Sequence, residues 1–133
     1  MRAVDTNVLV RFFTKDDLKQ YSEVERLFDE CVRRQEQVFI SIPVLCELVW
    51  ALRSGYSQTR HQIAHVLDML IDDGLFHMDQ EPLIKIALDR YRHGKAGFAD
   101  YLIGAMAADA GCRDTVSFDR GLRDDPAFTI LPS

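Results

Sequence analysis

Residues 3–10 read Ala-Val-Asp-Thr-Asn-Val-Leu-Val, and the apolar run continues through Phe12 and Phe13. Three polar side chains, Asp5, Thr6 and Asn7, interrupt what otherwise reads as core. An unpaired carboxylate is expensive to bury, so the interruption needs a chemical reason. One reading is a short strand, Arg2 to Val4, that ends where a site begins. The other is an Asx turn or helix cap made by Asp-Thr-Asn itself.

The rest of the chain supplies the context. The spacing predicts a helix over 18–34, where Tyr21, Val24, Leu27, Phe28, Cys31 and Val32 recur at three and four residues. Val38-Phe39-Ile40 reads as a strand. Pro43 suits a first helical turn, which predicts a helix over 43–53. Gly55 ends it and Ser57 is the expected cap of the next helix, whose stripe is Ile63, Val66, Leu67 and Leu70. Gly74 terminates that helix. Leu75 to Met78 reads as a strand. Glu81-Pro82 opens a helix with Leu83, Ile86, Ala87 and Leu88 inward. Residues 98–110 form another, closed by Gly111. Thr115 to Phe118 is a strand, Arg120 to Arg123 a helical turn, and Phe128 to Leu131 a last strand. Strands alternating with helices predict an α/β fold with a parallel sheet. The 133 residues are expected to make a single domain, 1–133, without repeats or linkers.

Composition narrows the function. The formal net charge is −5, which argues against a passive nucleic-acid binder. It does not argue against a nuclease whose clustered acids hold a cation. No apolar run approaches the ~20 residues of a membrane span, and no signal peptide is recognisable. Cys31, Cys46 and Cys112 are far apart and lack a paired motif, so three reduced thiols and a cytoplasmic location are expected.

Four acids stand out. Glu47 lies in Pro-Val-Leu-Cys-Glu-Leu-Val-Trp-Ala-Leu, where its helical neighbours are Val44, Pro43, Trp50 and Ala51. That pattern predicts a glutamate off the solvated face, which must be paired, protonated or bound to a cation. Asp100 sits in the first turn of an apolar helix, where the macrodipole favours it in any case. Asp119, in Ser-Phe-Asp-Arg-Gly-Leu, has an ordinary role as a turn residue after a strand. Asp5 and Asp119 both follow strands, at the edge where α/β sheets bind ligands. If the four converge, they cannot all be ionised without a cation between them. All-oxygen ligation selects Mg²⁺ or Mn²⁺ over zinc. His61 and His65 share a helix face but lack a third ligand.

In this order Asp-Thr-Asn-Val-Leu, Pro-Val-Leu-Cys-Glu-Leu, Phe-Ala-Asp-Tyr-Leu-Ile and Ser-Phe-Asp-Arg resemble the PIN-domain ribonucleases. The length and the order of the acids look most like the VapC toxins of type II toxin–antitoxin systems. The resemblance covers essentially the whole chain. It implies a three-layer α/β/α sandwich with a central parallel sheet, and Mg²⁺- or Mn²⁺-dependent endoribonuclease activity. It also implies a cognate VapB-like antitoxin and a homodimer. Asp5, Glu47, Asp100 and Asp119 would be the catalytic, metal-site acids. Thr6, Asn7 and Ser117 would support them from behind, Ser117 standing where relatives often have threonine. The basic run before Asp100, with Arg90, Arg92, His93 and Lys95, is a candidate phosphate contact, chiefly through Arg90, Arg92 and Lys95. Two other classes remain open. A haloacid-dehalogenase-type phosphatase would need a second acid at position 7, which is Asn. A non-enzymatic regulatory binding module would use the acids only as caps and ion pairs.

Overall fold

A computed structural model describes residues 1–133. Packing divides the chain into two compact units, Met1–Glu81 and Pro82–Ser133.

The first unit is built on a parallel sheet ordered β1-β2-β3, from β1 (Arg2–Ala3), β2 (Val38–Ile40) and β3 (Phe76–Met78). Arg2 pairs with Val38, and Val38 with Phe76. Its helices are α1 (Thr6–Thr14), α2 (Leu18–Arg33), α3 (Ile42–Ser54) and α4 (Arg60–Asp72). α1 packs against α2 and α3, and α4 against α3 and β3. Leu9, Val38, Ile40, Leu45, Leu48, Leu52, Leu67 and Leu70 are fully buried between them. Phe12, Phe28 and Phe76 meet edge to face, with ring centroids 5.0 and 5.5 Å apart.

One open reading is decided here and one expectation corrected. The apolar run after Asp5 is a helix, α1, whose first N–H, that of Thr6, is held by the Asp5 carboxylate at 2.8 Å. Ser57 does not cap α4. Thr59 does, in a reciprocal capping box with Gln62, while Ser57 holds a left-handed conformation with φ 53°. Lys15, Gln35 and Gln80 are left-handed as well, and Lys15 and Gln35 follow α1 and α2 where glycine is the commoner residue.

The second unit holds most of α5 (Glu81–His93), then α6 (Phe98–Asp109), β4 (Thr115–Ser117), a 3₁₀ turn (Arg120–Leu122) and β5 (Phe128–Ile130). β4 and β5 pair in parallel, with Thr115 opposite Phe128. Ile84, Leu88, Tyr91, Phe98, Leu102 and Leu122 are buried. Ile86, expected inward, is 43% exposed, and Ile84 takes the core position instead. The Tyr101 hydroxyl accepts the Lys95 and Ala96 N–H groups, which fixes the loop between α5 and α6. That loop leaves no room for a side chain at Gly94, whose added Cβ would collide with the same hydroxyl. No helix is long and apolar enough to cross a membrane.

Candidate functional site

The chain leaves the carboxyl end of β1 and turns directly into α1. Asp5 stands at that corner, with one carboxylate oxygen, Oδ1, on the Thr6 N–H. Thr6 begins α1, and its hydroxyl donates to Glu47 Oε2 at 2.8 Å. This bond crosses from α1 to α3 and ties together two acids that are far apart in sequence. Asp5, Thr6, Asn7 and Glu47 line one cleft of about 400 Å³, with Val10, Trp50 and Ala51.

Glu47 is exposed, against the expectation that its apolar neighbours would bury it. The buried stripe of α3 is Leu45, Leu48, Val49 and Leu52. Pro43, Glu47 and Trp50 form a different, exposed stripe, with Trp50 69% exposed. The neighbours of Glu47 are apolar in kind but not in environment. Ser41 caps this helix through the Val44 N–H, and Pro43 occupies its first turn.

The other two acids stand in the second unit. Asp100 lies in the first turn of α6 and reaches back with Oδ2 to the Gly97 N–H at 3.1 Å. Asp119 follows β4 and caps the 3₁₀ turn, with Oδ1 on the Gly121 N–H at 2.8 Å. Ser117 Oγ accepts the Asp119 N–H at 3.0 Å, so this hydroxyl fixes the turn that presents the acid. Each aspartate therefore commits one oxygen to a backbone N–H and keeps the other. Within either unit taken by itself, no three His, Cys, Asp or Glu side chains stand close enough together to hold a metal ion. Asp5 and Glu47 are the pair that the structure brings to one cleft.

The basic run is divided by the fold. Arg92 and Lys95 are exposed. Arg90 is only 33% exposed and turns toward Asp125, with Nη1 3.7 Å from Oδ1. The Asp125 side chain is 6% exposed and also accepts the Ala127 N–H. Arg90 is thereby committed to an internal ion pair, whereas Lys95 opens onto a cavity of about 270 Å³ with His93, Tyr101 and Asp124. All three cysteines are free thiols, as their spacing suggested.

The donor chemistry suits a hard divalent cation. The four candidate acids and Thr6 offer oxygen alone, and each aspartate retains one carboxylate oxygen outside the backbone hydrogen bonds.

Sequence reasoning passed over Trp50 as a member of this cleft. The signal was present, because Trp50 lies three residues from Glu47 and so on the same helical face.

Comparison with known proteins agrees with this architecture. Residues 2–125 match the model of the PIN domain. The chain is also 32% identical to the VapC ribonuclease of Aquifex aeolicus (strain VF5), over 132 residues that cover 99% of this chain and 97% of that protein. The parallel strands and flanking helices are those of the three-layer α/β/α class that the motifs implied. Asp5, the helical glutamate and the two later aspartates all fall inside the matched span. This chain belongs to the PIN domain family.

Proposed function

We propose that the chain is a divalent-metal-dependent endoribonuclease toxin of the VapC kind, working as one domain over residues 1–133 and neutralised by a cognate VapB-like antitoxin. The observation that carries this reading is the junction at Thr6. One hydroxyl links the corner after β1 to the middle of α3, so two acids separated by half of the first unit face one cleft. Membership of the PIN domain family supports the ribonuclease class and gives no support to the phosphatase alternative. RNA is the proposed substrate, and a homodimer the proposed assembly.

Asp5, Glu47, Asp100 and Asp119 would hold Mg²⁺ or Mn²⁺. A bound ion of this kind neutralises phosphate charge and lowers the pKa of water beside it. The chain's own groups do the rest. Thr6 fixes the rotamer of Glu47, and the Thr6 N–H fixes that of Asp5. Ser117 holds the turn that carries Asp119. One carboxylate accepts the proton of the attacking water. In-line attack then leaves a 5′-phosphate and a 3′-hydroxyl. Arg92 and Lys95, both exposed, would meet the RNA backbone.

Asp5→Asn tests the assignment. RNA cleavage in the presence of Mg²⁺ should disappear while the circular dichroism spectrum is unchanged. Undiminished cleavage by the folded variant would sink the assignment.

A further inference from the structure

We propose that Trp50 is the stacking platform for one unstacked base of the RNA strand. The inference rests on the ribonuclease reading and names how that site grips its substrate.

Large aromatic side chains are normally buried, because they remove much apolar surface from water. α3 has a buried stripe, filled by Leu45, Leu48, Val49 and Leu52. Trp50 lies outside it and stays 69% exposed. It is the only tryptophan in the chain. It stands one helical turn from Glu47 and lines the same cleft as Asp5 and Asn7. Val10 and Ala51 add apolar surface beside it.

The composition of the cleft selects the occupant. An apolar peptide or a lipid chain would strip water from two carboxylates and return no partner. A nucleotide brings both halves of the match. Its base has a flat face that stacks on an indole whatever the sequence. Its phosphate belongs with the cation that the carboxylates suit. The amide of Asn7 can donate to and accept from a base edge. At about 400 Å³ the cleft is near the small end of ligand pockets, roughly 300–1,000 Å³, which fits one nucleotide and not a structured helix.

The lone indole is its own reporter. Adenosine 5′-monophosphate has a base but no internucleotide bond to cut, and ribose 5-phosphate has no base. In the presence of Mg²⁺, the first should quench Trp50 fluorescence saturably and the second should leave it unchanged. On single-stranded RNA, Trp50→Ala should raise KM roughly five- to 150-fold with little change in kcat, because stacking binds substrate and transition state alike. Trp50→Phe should restore most of the loss. No quenching by the mononucleotide, or an unchanged KM in Trp50→Ala, overturns the proposal and leaves the ribonuclease reading intact. Fluorescence that follows protein concentration and ignores the mononucleotide would assign Trp50 to a contact between copies, which also overturns it. A chain that cuts no RNA yet is still quenched would fail the ribonuclease reading alone.

Discussion

Asp5 has two jobs, and substitutions can separate them. It caps α1 through Oδ1 and lines the cleft. Asparagine caps a helix about as well as aspartate, whereas alanine cannot, at a cost of about 1 kcal/mol. Asp5→Asn and Asp5→Ala should both abolish cleavage, but only Asp5→Ala should lower the urea midpoint. Asp16 illustrates a different balance. The Tyr56 hydroxyl holds its pKa below the usual 3.8, helped by Thr14 and Arg11 and opposed by desolvation. A depressed carboxylate pKa contributes stability that is present above the unfolded value and lost as pH falls through the folded one. This contribution therefore fades as pH drops below 3.8. Tyr56→Phe should move the Asp16 titration up toward 3.8, as followed by NMR. Glu47 shows where residue-level reading stops. Pro43, Val44, Trp50 and Ala51 are apolar, and their type suggests burial. Residue type does not fix environment, because exposed apolar groups make up much of any protein surface. The acid was legible as an oddity, but the reason for it was not.

Among the elements, α2 and the strands at 38–40 and 115–117 could be read closely from periodicity and punctuation. α1 could not. Val8, Leu9, Val10, Phe12 and Phe13 are apolar almost without interruption, and such a run does not distinguish a strand from a buried helix. The deciding contacts are tertiary, since α1 is enclosed by α2 and α3. The cap at Asp5 was the one local clue. Ser57 misleads for a related reason: two candidate caps lie two residues apart, and only Thr59 has Gln62 at the reciprocal position. The loop between α5 and α6 permits a direct test. Gly94→Ala would force its Cβ against the Tyr101 hydroxyl and to 2.9 Å from the Arg90 carbonyl. Relieving that clash should cost about 1–3 kcal/mol in urea denaturation. Gly74→Ala is the control, because nothing lies within 4 Å of the added atom.

For the molecule as a whole, charge is the property that most constrains function. A chain of net charge −5 must bind a polyanion through local features or through cations. If the acids share a metal, millimolar Mg²⁺ should raise the melting temperature of the wild-type protein by mass action and leave that of Asp5→Asn unmoved. If Arg92 and Lys95 meet phosphates, replacing either with alanine should flatten the salt dependence of RNA binding by about 0.7 in log–log slope for each phosphate no longer neutralised. Identical slopes would remove them from the interface. The α/β class and the order of the acids were legible because strand and helix periods and the four short motifs are local. The cleft was not, because it depends on a hydroxyl at position 6 meeting a carboxylate at position 47. The left-handed residues in the connections between elements have a consequence for lifetime. Gln35 and Ser57 are exposed and hold φ near 53° without the freedom of glycine. An L-residue there costs about 1–2 kcal/mol, and the extra flexibility of glycine gives back about 0.5–1 kcal/mol in the unfolded chain. The difference is a margin of stability located away from the cleft. Proteases in a cell act on the unfolded fraction, which this margin sets. Turnover of the protein can therefore be slowed or hastened at these two joints while the cleft is left untouched.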